Sequence, residues 1–217
     1  SYQYISVTNL GTGLTTYSAR PFVVTYSTAG INTLAIKTDF AVPSNSSATG
    51  VAIGDFDKDG DPDVVIPNVA ASTFTVYRNM TSAGSMSLTA AVSLTTGSSA
   101  TPRSVAVGDL NGDGYLDIVI ANYSLNTLSV FLNKTATAGS ISCSLFSNSI
   151  ATGSNPVFVA IGDLNSDGKP DIAVANYSAS TVSVIRNTIS LGSLSFATKI
   201  DLSVGSTPNS VAIGDLD

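Results

Sequence analysis

Three short stretches of the chain place acidic and amide side chains at a fixed spacing. They are DFDKDGDPD at 55–63, DLNGDGYLD at 109–117 and DLNSDGKPD at 163–171. In each stretch, positions 1, 3, 5 and 9 are Asp or Asn, and position 6 is Gly. Carboxylate and amide oxygens at odd-numbered positions converge when a chain curls around a hard cation, and Ca²⁺ accepts about 6–8 such oxygens. The stretches therefore predict Ca²⁺-binding loops, with about one ion in each complete loop.

Each predicted loop bends at its Gly, because a residue without a Cβ tolerates a sharp turn. Position 7 varies between the loops, as expected if only its backbone carbonyl binds. The first loop has carboxylates at positions 1, 3, 5 and 9, where the others have an amide at position 3, so it is predicted to bind most tightly. A fourth copy starts with DLD at the end of the sequence. The predicted metal-binding residues are Asp55, Asp57, Asp59, Asp61 and Asp63; Asp109, Asn111, Asp113, Tyr115 and Asp117; Asp163, Asn165, Asp167, Lys169 and Asp171; and Asp215 and Asp217.

An EF-hand, a zinc site, a magnesium site and a plain turn each fit these stretches less well. An EF-hand loop requires a bidentate Glu at position 12, but the chain has Ile66, Ile120 and Val174 there. Zn²⁺ prefers His and Cys ligands, and Mg²⁺ takes fewer protein ligands and more water. An ordinary solvated turn would account for one Asp-rich stretch, but three copies in a fixed register favour Ca²⁺.

The three loops belong to a longer sequence repeat. Asp55, Asp109 and Asp163 open their stretches at a constant interval, and each follows VAIG or VAVG. Two further sets of asparagines recur in the same register, Asn68, Asn122 and Asn176 first and Asn79, Asn133 and Asn187 later in each repeat. A self-similar period of roughly 50 residues indicates a repeat architecture in which each unit is one supersecondary structure.

Each repeat reads as four short strands separated by turn residues. VAIG comes first, and a continuous apolar run such as IVI then predicts a strand covered on both faces. TFTVYRN and its equivalents alternate with period two, and a fourth segment such as SLSFATKIDL is weaker. Four-stranded units repeated radially describe β-propeller blades, and the Ala and Gly face of the first strand suits close packing near an axis. The predicted fold is all-β, a partial β-propeller of four-stranded blades; a linear β-solenoid is the alternative, although its repeat is usually shorter.

The composition argues against several classes of function. All fifteen acidic residues are Asp, and Asp39 and Asp201 alone lie outside the four stretches. The nine Lys and Arg residues are scattered, so no nucleic-acid partner is expected. No apolar run approaches the about 20 residues of a membrane-spanning helix, so no membrane insertion is expected. Without His or Glu, and with nearly all Asp in loops, the chain lacks a paired general acid and base and is predicted not to be an enzyme.

The repeats resemble those of a known family. VAIGDFDKDGDPDVVIPN, VAVGDLNGDGYLDIVIAN and VAIGDLNSDGKPDIAVAN are similar to FG-GAP/VCBS repeats, which occur in integrin α-subunit propellers and many bacterial surface proteins. The resemblance covers residues 31–217 and implies a propeller, commonly seven-bladed, with Ca²⁺ in the loop between the first two strands of a blade. Modular proteins of this kind are typically exported, which implies a secreted or cell-surface location.

Residues 1–26 do not fit the repeat. YISVTNLGTGLTTYSARPFVVTY reads as two strands joined by a Gly-rich turn, and the segment resembles the closing strands of an IPT/TIG immunoglobulin-like domain. The predicted domains are therefore 1–26, the end of an IPT/TIG-like β-sandwich, and 27–217, the propeller blades. INTLAIKTDFAV, which starts at Ile31, is predicted to be the outer strand of a blade that is completed elsewhere in the ring.

Two classes of function are compatible with this sequence. The first is a Ca²⁺-stabilised extracellular module that binds a glycan or a protein through one face, as in cell-surface adhesion. The alternative is the propeller portion of a larger secreted polysaccharide-degrading enzyme, or a structural spacer. Tyr123 and Tyr177 could stack on a sugar beside Asn122 and Asn176, although packing within the turn is the favoured interpretation. Cys143 takes the place of an apolar residue of the other repeats and is interpreted as a buried thiol.

Overall fold

The computed structural model describes residues 6–8, 15–17, 39, 47–82 and 86–214. Every regular element within these residues is a β-strand, so the all-β prediction is confirmed. None of the described segments is a helix of the length and apolarity that crossing a membrane requires. The chain divides into two compact units, Ser1–Asp39 and Phe40–Asp217.

Two short strands are described in the first unit. β1 (Ser6–Thr8) pairs antiparallel with β2 (Thr15–Tyr17), which agrees with the two strands predicted on either side of a Gly-rich turn. The turn itself, the rest of 1–26 and the outer strand predicted from Ile31 lie outside the described residues. The domain boundary at residue 26 and the IPT/TIG resemblance therefore stay predictions.

Three four-stranded antiparallel sheets form the second unit, and the strands of each sheet lie in chain order. Blade 1 contains β3 (Ala52–Gly54), β4 (Asp63–Asn68), β5 (Thr73–Asn79) and β6 (Leu88–Thr95). Blade 2 contains β7 (Pro102–Gly108), β8 (Asp117–Asn122), β9 (Thr127–Asn133) and β10 (Cys143–Ala151). Blade 3 contains β11 (Pro156–Gly162), β12 (Asp171–Asn176), β13 (Thr181–Ile185) and β14 (Ile200–Ser203). The prediction of four strands in each repeat is confirmed.

The fourth strand is shortest in blade 3, where the sequence signal for it is weak. Within SLSFATKIDL, regular pairing starts at Ile200, and the residues before it form two isolated bridges, Asn187–Phe196 and Ser190–Ser193. All four residues of β14 are exposed, so little buried apolar area stabilises a longer strand.

The second strand lies inside each blade. All six residues of β8 and all six of β12 are buried, as their continuous apolar runs predict for strands covered on both faces. Val64 and Ile66 of β4 are half-buried instead. Blade 2 covers one face of blade 1, and within the described residues no blade covers the other face.

Neighbouring blades share apolar cores. Between blades 1 and 2, the rings of Phe74 and Phe131 meet edge to face with 4.7 Å between their centroids, and Phe56 is buried beside them. Between blades 2 and 3, an equivalent core contains Leu110, Val119, Val130, Val159, Ile172 and Val174. Each described core is therefore built by two blades together, so the blades stabilise one another.

The first strands of successive blades approach one another closely. A Cβ added at Gly108 would lie 3.0 Å from Ile161 Cγ2, and one added at Gly162 would lie 2.8 Å from Ile213 Cγ2. The small face of these strands is thus the surface on which the next blade packs, as the sequence predicts. Four-stranded sheets stacked face to face in this way form a partial β-propeller.

Candidate metal centres

The three Asp-rich loops lie at one end of the blades. Residues 55–62 connect β3 to β4, residues 109–116 connect β7 to β8, and residues 163–170 connect β11 to β12. Because each loop joins the first strand of its blade to the second, the three loops occupy equivalent places. The predicted sites therefore form an array along one edge of the partial propeller.

Each loop curls around the carboxylate at its first position. The position-6 residues Gly60, Gly114 and Gly168 donate their backbone N–H to that carboxylate at 3.0, 2.8 and 2.8 Å. Their φ angles are +95°, +84° and +79°, a region that residues with a Cβ rarely adopt. The backbone N–H at position 7 likewise donates to the carboxylate at position 5 in each loop. The bend predicted at Gly is confirmed in all three loops.

The Asp at position 9 is buried in each loop. Asp63, Asp117 and Asp171 are all 0% exposed. Each accepts one backbone N–H from position 2 of its own loop and another from the Asn that follows the third strand's apolar run. Asp117, for example, accepts from Leu110 at 3.0 Å and from Asn133 at 2.9 Å. These carboxylates are fixed at the point where the loop enters the second strand.

The surroundings of two position-9 carboxylates disfavour their negative charge. Burial, with a contribution from the nearby Asp113 and Asp109 charges, raises the pKa of Asp117 to about 6 despite its two backbone hydrogen bonds. Burial also raises the pKa of Asp63, and Asp57 and Asp59 add to the effect. A raised carboxyl pKa means that the protein stabilises the charged form less well than water does. A dication among the loop oxygens would favour the charged form.

In the first loop, three carboxylates converge. One oxygen from each of Asp55, Asp57 and Asp63 lies within 4.8 Å of the other two, which is compatible with one Ca²⁺ contacting all three at about 2.3–2.6 Å. Oδ1 of Asp55 is buried and has no hydrogen-bond partner. A buried carboxylate oxygen without a partner is destabilising, and a bound cation would satisfy it. The residues of this loop therefore fit Ca²⁺.

The other unpartnered buried side-chain atoms in the described part of the chain are amide oxygens. They belong to the three Asn residues that end the second strands: Asn68, Asn122 and Asn176. These groups are neutral and lie at the end of the blades opposite the loops. Asp55 is the unpartnered group with a negative charge, so the argument for a cation applies to its loop.

The second and third loops replace the position-3 carboxylate with an amide. Asn111 donates its amide to Asp113 at 2.9 Å, and Asn165 donates to Asp167 at 3.3 Å. The amide oxygen of each Asn accepts the backbone N–H at position 5. These loops thus repeat the hydrogen bonds of the first loop, with one fewer negative charge at positions 1, 3, 5 and 9.

The side chains at position 7 differ in their surroundings. The ring of Tyr115 lies under the ammonium of Lys58, 3.9 Å from it, and Lys169 Nζ lies 4.0 Å from Asp167 Oδ2. Asp61 is exposed. Cation binding through the position-7 carbonyls stays a prediction. The two predicted ligands of the fourth copy lie outside the described residues: Asp215 and Asp217.

An arginine that the repeat pattern does not single out contacts the first loop. Arg78 donates from Nε to Asp57 Oδ2 at 2.7 Å and from Nη2 to Asp59 Oδ2 at 2.8 Å. Asp57 Oδ2 also accepts the backbone N–H of Gly139 in blade 2 at 2.8 Å. The guanidinium therefore offsets part of the charge on which the predicted order of loop affinities depends. When the repeats are aligned, this position is Arg78 in blade 1, Leu132 in blade 2 and Arg186 in blade 3. The variation at this position is the sequence signal that could have drawn attention to Arg78.

Replacing Arg78→Leu is expected to tighten cation binding at the first loop. The substitution removes a positive charge that competes with the cation, and the expected increase in affinity is about twofold to fivefold. Calorimetric titration with Ca²⁺ measures the change. Arg186→Leu, at the equivalent and exposed position of blade 3, is the matched control and is expected to leave all affinities unchanged. Equal or weaker binding by the Arg78→Leu protein would contradict the role given to this arginine.

Cys143 does not have the properties of a nucleophile. Its side chain is partly buried at the start of β10. Burial, with a smaller contribution from Asp117, raises the pKa of the Cys143 thiol to about 12. The reactive species is the thiolate, which is scarce at neutral pH for such a group. The interpretation of Cys143 as an apolar residue of the blade is therefore the better one.

The tyrosines that follow the second strands, Tyr123 and Tyr177, differ in their surroundings. The guanidinium of Arg103 lies 4.3 Å from the centroid of the Tyr123 ring. Tyr177 is 36% exposed, but Asn122 and Asn176 are 0% exposed. Both asparagines donate their amides to hydroxyl groups of their own blades. They are not accessible as partners for a sugar, which agrees with the favoured interpretation of the turn.

Comparison with known proteins identifies the repeats. A sequence model described as FG-GAP-like repeat matches residues 68–120, 109–174 and 163–217. A comparison with curated proteins gives no match. Repeats of this type typically form β-propellers and are typical of extracellular proteins. Because the matched segments cover more than half of the chain and its sheets are stacked blades, the chain belongs to the FG-GAP-like repeat family.

Proposed function

We propose that the chain is a Ca²⁺-binding extracellular module that presents a rigid face to a glycan or a protein, as in cell-surface adhesion. The observation that carries the proposal is the convergence of Asp55, Asp57 and Asp63 around a buried and unpartnered carboxylate oxygen. We expect the second and third loops to hold Ca²⁺ through their equivalent Asp and Asn residues. The integrin-like role of such repeats and the IPT/TIG-like segment at 1–26 are further parts of this proposal.

The proposed role of the cation is structural. Positions 1 and 9 of each loop lie at the end of the first strand and at the start of the second, so an ion that binds both connects two strands of one blade. The first strand also carries the Gly and Ala face against which the next blade packs. Holding this strand in place would therefore stabilise the contacts between blades as well as the loop.

A cleft between the second and third loops is the ligand-binding position that we favour. A cavity of about 310 Å³ lies there, with Asp109, Asn111 and Gly112 on one side and Lys169 and Pro170 on the other. In the first loop, the position of Gly112 is occupied by Lys58, whose ammonium lies over the ring of Tyr115. The small Gly112 leaves this space open between blades 2 and 3. A cationic group beside bound Ca²⁺ suits the hydroxyl or carboxylate groups of a glycan or an acidic peptide.

We propose binding rather than catalysis at this face. The chain has no His and no Glu, and each position-9 carboxylate already accepts two backbone N–H groups. A general acid and base in glycoside hydrolysis are two carboxyl groups on opposite sides of a sugar bond. In the first loop, one oxygen from each of Asp55, Asp57 and Asp63 instead lies in one small cluster. An exported, modular protein at the cell surface fits such a binding role.

The test combines a Ca²⁺ titration with a glycan array. Calorimetry is expected to show Ca²⁺ binding that is abolished by Asp55→Asn, Asp109→Asn and Asp163→Asn together. Array binding is expected with Ca²⁺, to be lost with chelator, and to weaken in Lys169→Ala. Lys134→Ala removes an exposed lysine that does not line the cleft and is the control. Absence of Ca²⁺ binding would overturn the metal assignment. Array binding that is unchanged by chelator and by Lys169→Ala would overturn the assignment of the cleft as the ligand-binding position.

A further inference from the structure

We propose that the cation sites of neighbouring blades are energetically coupled through Asn133 and Asn187, so that an ion in one loop raises the affinity of the next loop. The inference rests on the proposed Ca²⁺ binding and goes further, because both residues lie outside the loops. They belong to the later of the two sets of asparagines that recur with the repeat. The periodicity marks them without showing what they do.

Asn133 connects the loops of blades 1 and 2. Its backbone N–H donates to Asp117 Oδ1 in the second loop at 2.9 Å. Its side-chain amide donates to the backbone carbonyl of Phe56, at position 2 of the first loop, at 2.8 Å. Asn133 therefore donates one hydrogen bond to a predicted metal ligand of the second loop and another to the backbone of the first loop.

Asn187 repeats the same arrangement between blades 2 and 3. Its backbone N–H donates to Asp171 Oδ1 in the third loop at 2.8 Å, and its amide donates to the carbonyl of Leu110 in the second loop at 2.8 Å. Because both distances and both partners correspond to those of Asn133, the arrangement belongs to the repeat and is not an accident of one interface.

The backbone N–H and carbonyl groups of the position-2 residues connect these hydrogen bonds into one continuous line. The N–H of Phe56 donates to Asp63 Oδ2, and the N–H of Leu110 donates to Asp117 Oδ2, both at 3.0 Å. The line passes through seven residues that are at most 2% exposed: Asp63, Phe56, Asn133, Asp117, Leu110, Asn187 and Asp171. Hydrogen bonds in such a dry environment polarise one another and are expensive to break.

A cation can act along this line because it fixes the carboxylate at position 9. In the second loop, a cation bound to Asp117 would hold the N–H groups of both Leu110 and Asn133 in place. Phe56 and Leu110 have their side chains in the cores between blades, so their peptides cannot shift alone. The first loop would therefore be more ordered before its own ion arrives. Such coupling between two binding sites is reciprocal by thermodynamic linkage.

The first and third blades contain residues that lack the hydrogen bond between blades, and comparison with them shows what it contributes. Asn79 of blade 1 donates its amide to Pro62 of its own loop at 3.0 Å. Leu164, at position 2 of the third loop, is 43% exposed, and within the described residues no Asn of a following blade reaches its carbonyl. Phe56 and Leu110, which do have this partner, are fully buried. Burial of position 2 thus accompanies the contact with the next blade.

The test uses Tb³⁺, an oxygen-binding lanthanide of similar size to Ca²⁺, with excitation of Tyr115. Because the Tyr115 ring also contacts Lys58 of the first loop, every protein in the test carries Asp55→Ala, so that the signal reports the second loop. The Tyr115→Phe protein measures the background Tb³⁺ luminescence that other tyrosines excite. Asn187→Ala is expected to weaken Tb³⁺ binding at the second loop about fivefold. Asn79→Ala is the matched control. It also removes two hydrogen bonds of an Asn side chain, the one that its amide donates to Pro62 and the one that its oxygen accepts from the N–H of Thr81. It leaves the links between loops intact, and its effect on the second loop is expected to stay within about twofold.

A double-mutant cycle separates coupling from simple damage. Asp163→Ala, which removes a ligand of the third loop, is expected to weaken the second loop in the otherwise unchanged protein and to have no further effect in Asn187→Ala. Asn187→Ser retains an acceptor for the N–H of Ile189 and serves if the Ala protein does not fold. Independent effects of the two substitutions, with Tb³⁺ still bound, would overturn coupling and leave the proposed function standing. Absence of Tb³⁺ and Ca²⁺ binding to the unchanged protein would overturn both.

Discussion

Removal of Ca²⁺ is expected to lower the melting temperature of the protein by about 8–16 °C. At free Ca²⁺ tenfold above the dissociation constant, each site adds about 1.4 kcal/mol to the free energy of unfolding, and three sites add about 4 kcal/mol. For a chain of this size, 1 kcal/mol corresponds to about 2–4 °C. Thermal melts followed by circular dichroism, in excess Ca²⁺ and in excess chelator, measure the difference.

Two controls make the effect of Ca²⁺ specific. The protein with Asp55→Asn, Asp109→Asn and Asp163→Asn is expected to melt at one temperature in both buffers, because each loop has lost its position-1 carboxylate. Mg²⁺ is expected to restore little stability, since it keeps more of its water and requires a stricter geometry. Identical melting temperatures of the unchanged protein with and without chelator would contradict a structural role for Ca²⁺.

Replacing Gly153→Ala is expected to lower the free energy of unfolding by about 2–4 kcal/mol. A Cβ at this position would lie 2.7–2.9 Å from side-chain atoms of Asn176. Asn176 is fully buried, and its amide donates to the hydroxyl oxygens of Thr181 and Ser183 at 3.1 and 2.8 Å. Relief of the overlap would break these bonds or displace blade 2 from blade 3. Urea unfolding in chelator measures the loss without a contribution from the cation sites.

Gly205→Ala is the matched control for this substitution. A Cβ at Gly205 meets nothing within 4 Å, and the residue is exposed. Its effect on stability is therefore expected to stay within about 0.5 kcal/mol. Equal unfolding midpoints for the two variants would show that the contact between Gly153 and Asn176 does not constrain the blades.

The strands could be predicted because local patterns determine them. The apolar runs of β8 and β12 indicate strands buried on both faces, and the alternation in TFTVYRN indicates β5. The fourth strand of blade 3 is shorter than the segment that the sequence predicts for it. Its residues are exposed in the structure, and a strand held by few tertiary contacts leaves a weak signal in sequence.

The loops could also be predicted, since the local spacing of Asp, Asn and Gly determines how the backbone curls. The contacts that connect the loops could not. The amides of Asn133 and Asn187 reach carbonyls 77 residues away, in the preceding blade. Such contacts depend on how blades stack, which one repeat considered alone does not contain. The asparagines are visible as periodic residues, but their role requires the neighbouring blade.

The hydrogen bond that the first and second loops each receive from the blade that follows has a consequence for how such chains change length. Loss or gain of one complete repeat period leaves a carbonyl such as that of Phe56 facing an amide such as that of Asn133. An insertion or deletion of part of a period separates an amide from its acceptor at two junctions. Tandem duplication of a whole gene segment is therefore the genetic event that this architecture tolerates best, and we expect natural variants to differ by entire modules.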